Sequence, residues 1–335
     1  MGEIVYRQKD MRDACLYPEG HALMIWLDRE RILKGVEERK GFTKYLAVDF
    51  IPEVAEITIG SKPHLTVVIP TLDANRNGYF PQLLEDIKEQ SLGDFQVLVV
   101  KGDRKQGRAI NTGVALAEGE IIVILDDDIR LGHRDVFKNL VSAIKSDERI
   151  GMAGVSNLIP ENASWLVRRL MSEVPRRNSP LVRELTDSDL AEHPCCAFPK
   201  GVFKEIGGET ELIPRGLDPY LRAELRKRGY RVVVIPDTWI HHLPPDRFLL
   251  LIKQFYRNGK YSAYCTKFHP QWAIELAEEH GKEFKERVSI TRRVFRYLKR
   301  LLKVCFVMKW IYLLTLLCYL AGFGWGYMTL KKEEV

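Results

Sequence analysis

The feature that most constrains this chain is the run Glu120-Ile-Ile-Val-Ile-Leu-Asp126-Asp127-Asp128. Its five apolar, mostly β-branched residues predict a strand that is buried on both faces. Three carboxylates follow at the carboxyl end of this strand, the edge at which open α/β sheets bind ligands. Because adjacent carboxylates repel one another, a cation that takes oxygen ligands, such as Mg²⁺ or Mn²⁺, would stabilise the cluster. A solvated acidic turn after a core strand is the alternative.

The residues around this run alternate between strand and helix patterns. The predicted elements that flank the acidic strand are, in chain order, residues 64–70 (strand), 79–91 (helix), 95–100 (strand), 108–117 (helix) and 136–145 (helix). This alternation predicts a parallel α/β unit with right-handed crossovers. Further along, the sequence predicts a helix over 219–228 and a strand over 230–236, and His241 and His242 follow.

The remaining segments before residue 246 carry few signals. Residues 1–62 contain no motif and are interpreted as a structural extension packed on the main domain. The start Met-Gly-Glu-Ile-Val lacks a charged residue followed by an apolar run, so no signal peptide is predicted. The six cysteines show no CxxC spacing, which favours a reduced, cytosolic environment. Cys195 and Cys196 are interpreted as small core residues rather than a redox pair.

The C-terminal part is basic and then apolar. Residues 246–309 contain fifteen Lys and Arg against six Asp and Glu, whereas the whole chain has a net charge of +6. Residues 292–303 have the pattern of a basic amphipathic helix, which is typical of membrane surfaces. Residues 310–330 carry no charge over 21 positions, enough to span a membrane once, and the preceding basic residues predict that the N-terminal bulk is cytoplasmic. A buried helix of a soluble protein is the alternative.

Seven short motifs occur in one order between residues 65 and 245. They are Val67-Val-Ile-Pro70-Thr71, Gly107-Arg-Ala-Ile-Asn111-Thr-Gly113, Ala117-Glu-Gly119-Glu120, Leu125-Asp126-Asp127-Asp128, Ile206-Gly207-Gly208, Leu217-Asp218 ahead of Leu221-Arg222, and Gly229-Tyr230-Arg231-Val232 with a following His. With these motifs the chain resembles an inverting family 2 glycosyltransferase of the GT-A fold, an α/β fold with a mostly parallel sheet and helices on both faces.

The resemblance implies a nucleotide-sugar donor, UDP- or GDP-linked, and a divalent metal, Mg²⁺ or Mn²⁺. The residues implied in donor binding are Pro70, Thr71, Asp73, Asp103, Arg108, Asn111, Asp126, Asp127 and Arg257. Those implied in metal binding are Asp126, Asp128, Asp127, His242 and His241. Asp218 stands at the position of the catalytic base, which takes the proton of the acceptor as its oxygen attacks. A free Asp has a pKa near 3.9, so burial would have to raise it; an N-cap role before Pro219 is the alternative.

Three positions depart from the family pattern. Lys101-Gly102-Asp103 stands where the family has an Asp pair that contacts uracil, which leaves the nucleotide base open. Leu217 replaces the Glu that usually precedes the base. Asn258 replaces the Trp of the processive signature in Gln254-Phe-Tyr-Arg257-Asn258. The last departure, with a single span, predicts the addition of one sugar per encounter.

These observations predict five segments: an N-terminal extension (1–62), a GT-A domain (63–245), a basic amphipathic region (246–303), a transmembrane helix (304–330) and a charged tail (331–335). The predicted function is sugar transfer from a nucleotide donor to a lipid-linked or polyprenyl-phosphate acceptor at the cytoplasmic face. A non-catalytic membrane scaffold and a sugar-nucleotide pyrophosphorylase are the alternatives. Nucleic-acid binding is disfavoured because the basic residues adjoin a membrane span, and the oligomeric state, a homo-oligomer included, stays open.

Overall fold

The structure is a computed structural model that describes residues 24–274, 280 and 290–332. Its strands, in chain order, are β1 (Ile25–Trp26), β2 (Glu53–Ile59), β3 (Leu65–Thr71), β4 (Phe95–Lys101), β5 (Ile121–Leu125), β6 (Ile129–Leu131), β7 (Ile150–Asn157), β8 (Thr186–Asp187), β9 (Cys195–Pro199) and β10 (Arg231–His242). All but β8 lie in the order β1-β2-β4-β3-β5-β9-β7-β10-β6, and β8 pairs with β10.

Ten α-helices surround this sheet within the described residues. They are α1 (Arg29–Phe42), α2 (Tyr79–Lys88), α3 (Gln106–Leu116), α4 (Val136–Ser146), α5 (Trp165–Glu173), α6 (Lys200–Glu205), α7 (Leu217–Lys227), α8 (Phe248–Phe268), α9 (Ile290–Phe306) and α10 (Trp310–Thr329). The predicted α/β class is therefore confirmed. The predicted helices over 79–91, 108–117 and 136–145 correspond to α2, α3 and α4, which differ from them by a few residues at the ends.

The sheet is mixed. The pairs β3–β4, β3–β5 and β7–β10 are parallel, as alternating strands and helices predict, and six other pairs are antiparallel within the described residues. β2 pairs with β4 over its whole length, so part of the predicted extension 1–62 belongs to the main sheet. The apolar residues of each strand alternate between two buried clusters, because successive side chains point to opposite faces.

The two C-terminal helices α8 and α10 pack unusually closely. A Cβ atom built on Gly259 of α8 would lie 1.9 Å from the carbonyl oxygen of Tyr319, and one on Gly322 would lie 2.0 Å from that of Tyr256. Only glycine at these positions allows the backbones of α8 and α10 to come this close. The GxxxG pair Gly322 and Gly326 of α10 therefore packs against α8 of the same chain. The helix α10 is, among the described residues, the one helix long and apolar enough to cross a membrane.

The carboxylate of Glu173, at the end of α5, fixes the start of α10. It accepts hydrogen bonds from the backbone N–H groups of Ile311 (2.9 Å) and Tyr312 (3.1 Å), and Arg169 pairs with its other oxygen at 2.6 Å. A negative charge at a helix N-terminus is favourable because the first N–H groups have no partner within the helix. The apolar helix is thus bound to the α/β domain at its first turn.

Candidate metal and donor site

The predicted acidic cluster lies at the ends of β5 and β10 and at the start of β6. β5 ends at Leu125, and the short strand β6 pairs antiparallel with the end of β10, so that His242 lies opposite Ile129. The turn between β5 and β6 therefore carries the aspartates to the last residue of β10. Ligand atoms of Asp126, Asp128 and His242 all lie within 4.8 Å of one another. These three residues can hold a metal ion.

Asp128 is the most strongly paired of the three aspartates. Its Oδ2 atom accepts hydrogen bonds from Nε (3.1 Å) and Nη2 (2.8 Å) of Arg76, and its Oδ1 atom lies 3.2 Å from Nε2 of His242. Burial alone would raise the pKa of Asp128, but the charges of His242 and Arg76 outweigh it and lower the pKa. Asp128 is therefore ionised at neutral pH.

The pKa of Asp126 is shifted in the opposite direction from that of Asp128. Burial, followed by repulsion from Asp128, raises the pKa of Asp126 to about 7. The amide of Gln106, at the start of α3, donates to its Oδ1 atom at 2.9 Å. A bound cation would favour the ionised form, as is expected of a carboxyl that serves as a metal ligand.

Asp127 does not join the three-residue metal group. Its carboxylate accepts a hydrogen bond from the Thr71 hydroxyl at 2.6 Å and lies 3.4 Å from Nε of Arg76. Thr71 in turn accepts from the backbone N–H of Ala74 at 3.0 Å. These bonds hold the loop after β3 against the acidic turn.

The structure separates the two histidines. Because they are adjacent in β10, their side chains point to opposite faces of the sheet. His242 faces Asp128, whereas Nδ1 of His241 lies 2.8 Å from the carbonyl oxygen of Leu158. Of the predicted pair, His242 alone belongs to the metal group.

Arg76 is a site residue that the sequence did not single out. Its loop contains three non-glycine residues with left-handed φ angles: Ala74 (54°), Arg76 (45°) and Asn77 (56°). Asp73 stabilises this loop by accepting hydrogen bonds from the N–H groups of Asn75 and Arg76, each at 2.9 Å. Strained backbone of this kind clusters at binding sites, and here it directs the guanidinium into the acidic cluster.

The carboxylate of Asp218 lies in a second buried cluster. Its Oδ1 atom accepts a hydrogen bond from the backbone N–H of His193 at 2.5 Å and lies 3.5 Å from Nδ1 of the same histidine. On its other side, the His193 ring lies 2.8 Å from Glu209. Burial lowers the pKa of His193, but Asp218 and Glu209 outweigh it and raise the pKa to about 9. The histidine is therefore a cation between two carboxylates.

The structure contradicts the N-cap alternative for Asp218 and lacks the raised pKa that the base role would require. Asp218 does not cap α7, because the helix begins one residue earlier, at Leu217, and the N-cap is Gly216, whose φ of 89° favours glycine. Its pKa is not raised, because the charges of His193 and Arg222 outweigh the effect of burial and lower it. The side chain of Asp218 is 29% exposed.

Several residues predicted to bind the donor have hydrogen-bond partners within the protein. Asp103 and Arg108 form a two-bond pair, each bond 2.7 Å long. The Asn111 amide is fully buried and bonds Glu209 and Glu211 in the segment before α7. None of these three side chains contacts the acidic cluster within the described residues.

The other predicted donor residues lie at the surface or the sheet edge. Pro70 is half-buried at the end of β3, beside Val100. Asp73 is exposed and shapes the Arg76 loop. Arg257 is exposed on α8, and its side chain makes no hydrogen bond or ion pair among the described residues.

The donor atoms of the cluster fit a divalent ion. Two carboxylates and one imidazole supply oxygen and nitrogen ligands. The pKa of Asp126 is raised by burial and by Asp128, and a bound cation would offset both effects. Mg²⁺ and Mn²⁺ both accept such carboxylates.

Comparison with known proteins shows the family and the fold of this chain. A family model described as glycosyltransferase like family 2 matches residues 56–260. The comparison with curated proteins gives no significant match. Among solved structures, the mannosyltransferase PcManGT from Pyrobaculum calidifontis, in complex with GDP-Man and Mn²⁺, is similar with a TM-score of 0.52 and 15% identity, over 89% of this chain and 95% of that chain.

Two other solved structures are more distant. S. aureus TarS 1–349 in complex with UDP-GlcNAc has a TM-score of 0.43 and 13% identity, over 60% of this chain and 65% of that chain. GalNAc-T7 with UDP, GalNAc and Mn²⁺ has a TM-score of 0.42 and 12% identity, over 64% of this chain and 52% of that chain. At such identities the likeness concerns the fold, and PcManGT alone of the three carries weight.

Proposed function

This chain belongs to the glycosyltransferase-like family 2, and from that premise we propose that it is a metal-dependent, inverting enzyme that transfers one sugar to a lipid-linked acceptor. The donor is a UDP- or GDP-linked sugar, and the reaction takes place at the cytoplasmic face of a membrane. The observation that carries the proposal is the group formed by Asp126, Asp128 and His242 at the end of β5. PcManGT, which shares the fold, holds GDP-Man and Mn²⁺.

The donor half of the site follows from this cluster. Asp126, Asp128 and His242 would hold the ion, and the nitrogen ligand favours Mn²⁺ over Mg²⁺. When bound, the ion supplies positive charge for the departing nucleoside diphosphate. Thr71 and Asp127 fix the loop after β3, along which the nucleoside would lie.

The ionisation state of Asp218 indicates which chemical class of acceptor the enzyme uses. A carboxylate whose pKa is lowered is ionised at neutral pH and can receive a proton, but it is a weak base. A hydroxyl acceptor would need that base, whereas a phosphate acceptor is already ionised. The electrostatics therefore favour a lipid phosphate, such as a polyprenyl phosphate, over a sugar hydroxyl.

The C-terminal helices support a membrane location. α9 exposes the apolar side chains of Phe295, Leu298, Leu302 and Phe306, the last with 90% of its surface exposed. Lys299 and Lys303 are exposed on the same helix. An exposed apolar stripe with flanking cations fits the surface of an anionic bilayer. α10 would then enter the bilayer from this surface.

The proposal is tested on the full-length protein in detergent by thermal unfolding with UDP and GDP, each with and without Mn²⁺. A bound ligand raises the unfolding temperature in proportion to RT ln(1 + [L]/Kd). We expect one nucleotide to raise it, in the presence of Mn²⁺ and not in its absence, and Asp128→Asn to abolish the effect. If neither nucleotide changes the unfolding temperature of the wild type, the proposal is wrong. A nucleotide that binds without any sugar transfer to a polyprenyl phosphate would instead support the scaffold alternative.

A further inference from the structure

The guanidinium of Arg177 is a partly buried cation without a countercharge. Within the described residues, its side chain makes no hydrogen bond and no ion pair. The adjacent Arg176, by contrast, pairs with Glu192 through Nε (2.9 Å) and Nη2 and also donates to the carbonyl oxygen of Asp189 at 2.7 Å. A charge taken out of water without a partner is costly, so a fold that keeps one is expected to use it for a ligand of opposite charge.

The backbone of Arg177 is tied to the metal site through one amide. Nδ2 of Asn157 donates to the carbonyl oxygen of Arg177 at 2.9 Å, and Oδ1 of the same amide accepts from the N–H of His242, also at 2.9 Å. Asn157 and Ser179 exchange two further bonds, of 2.7 and 2.8 Å. Arg177 is therefore held in a fixed position next to His242.

The local conformation and an aromatic ring orient the side chain. Arg176 has a φ of 68°, which reverses the chain so that consecutive arginines point to different neighbours. The guanidinium of Arg177 lies over the ring of Phe255 in α8, 5.7 Å from its centre. A cation–π contact of this kind uses none of the guanidinium N–H groups as donors to a side-chain oxygen, and their fork geometry matches a phosphate.

The charged residues near Arg177 do not neutralise it. Burial and the charge of Arg215 lower the pKa of Arg177, while the charges of Glu192 and Asp128 raise it by less. Since Glu192 is already paired with Arg176 and Asp128 with Arg76 and His242, neither neutralises Arg177. Arg177, which contacts Phe255 of α8 and is linked through Asn157 to His242, therefore carries a positive charge that neither carboxylate neutralises.

We propose that Arg177 binds a phosphate group that lies between the metal ligands and α8. The inference rests on the proposed function, since the two sources of phosphate are the nucleoside diphosphate of the donor and the phosphate of a lipid acceptor.

The test compares the full-length wild type with Arg177→Gln and Arg177→Lys by calorimetric titration in detergent. The first titration uses UDP and GDP with Mn²⁺, and the second adds farnesyl phosphate to the protein that already holds Mn²⁺ and nucleotide. Arg183→Gln is the matched control, because Arg183 is 81% exposed and pairs with Asp237 far along the chain. Thermal unfolding verifies that each variant is folded.

We expect Arg177→Gln to weaken the binding of one of the two ligands by about 10- to 100-fold, as for the loss of a charge-assisted hydrogen bond. Arg177→Lys keeps the positive charge but loses the paired N–H donors of the guanidinium, so it should weaken binding less. If Arg177→Gln does not fold, the affinity of Arg177→Lys tests the inference. Weaker nucleotide binding identifies the donor phosphate, and weaker farnesyl phosphate binding alone identifies the acceptor phosphate.

Unchanged affinity for both ligands in the folded variants overturns the inference and leaves the proposed function standing. A wild type that binds neither ligand overturns both. The inference is also overturned if Arg183→Gln loses as much ligand affinity as Arg177→Gln, because that would show a general effect of surface charge.

Discussion

Nε2 of His193 lies 2.8 Å from a carboxylate oxygen of Glu209, and neither side chain is more than 3% exposed. The other ring nitrogen faces Asp218. This buried pair joins the segment before β9 to the segment before α7, and it places a cation next to the residue proposed as the base.

His193→Gln should destabilise the protein by roughly 3 kcal/mol, because it leaves the carboxylate of Glu209 buried without its cation. The pKa of His193 is raised from 6.5 to about 9, so its contribution is fully present below pH 6.5 and is lost as the pH rises through 9. The gap in unfolding temperature between wild type and His193→Gln should therefore shrink between pH 6 and pH 10. The titratable groups that face the ring are Glu209, Asp218 and Asp126, and all of them remain in the variant. A gap that does not change with pH would show that the histidine is not charged.

Asp218→Asn should affect the two acceptor classes differently. A sugar hydroxyl needs a base, so its transfer rate should fall by about 10²- to 10⁴-fold, whereas transfer to a polyprenyl phosphate should fall by less than about 10-fold. The measurement is the initial rate of transfer to each acceptor, with Asp237→Asn, an exposed carboxylate, as the control. Equal losses with both acceptors would indicate a role in holding His193 rather than in proton transfer.

His242→Gln and His241→Gln form a matched pair for the metal site. We expect His242→Gln to weaken Mn²⁺ binding by at least about 10-fold, since it removes one of three ligands. His241→Gln should leave Mn²⁺ affinity within a factor of about two, because its ring bonds the carbonyl oxygen of Leu158. Titration with Mn²⁺ in the absence of nucleotide measures both. An equal effect of the two substitutions would contradict the assignment.

Arg76→Ala should increase the affinity for Mn²⁺ a few-fold in the absence of nucleotide. The guanidinium occupies Oδ2 of Asp128 at 2.8 Å and must give up that bond when an ion binds. The gain is small because 39% of the Arg76 side chain is exposed and water screens the pair. The same titration measures it, and a weaker affinity in the variant would mean that Arg76 supports the ion instead of competing with it.

Gly322→Ala should lower the unfolding temperature, because its methyl group would lie 2.0 Å from the carbonyl oxygen of Tyr256 in α8. Overpacking of this kind costs about 1 to 3 kcal/mol. Gly324 offers the control on the same helix, since nothing lies within 4 Å of its Cβ position. Gly324→Ala should leave the unfolding temperature unchanged or raise it, as alanine favours helices. A similar loss in both variants would contradict the close pairing of α8 and α10.

The strands next to the acidic turn could be predicted from the sequence because β3, β4 and β5 each contain a run of consecutive apolar residues. β7 and β9 could not, since the residues of Ile150–Asn157 include two glycines and an alanine, which favour strands weakly. Gly154 is needed there because a Cβ would lie 2.6 Å from the Cα atom of Ala191. Such packing requirements appear only once the fold is known.

The aspartates of the site could be predicted because three adjacent carboxylates are rare next to a buried strand. The choice between His241 and His242 depends on strand register, which the sequence alone leaves open. Arg76, His193 and Arg177 could not be found, because each acts through contacts between residues far apart in the chain. One available signal was the consecutive Arg176-Arg177 pair between two prolines, which is an unusual setting for two cations.

The cap that Glu173 provides for α10 has a consequence for acceptor choice. A helix joined to its domain by a flexible linker would let the active site visit many heights above the bilayer. Here the first turn of α10 is hydrogen-bonded to α5. A membrane that holds α10 would therefore keep the active site at one fixed distance from the lipid surface. Acceptors would then be selected by how far their reactive group projects from the lipid surface, in addition to their chemical structure.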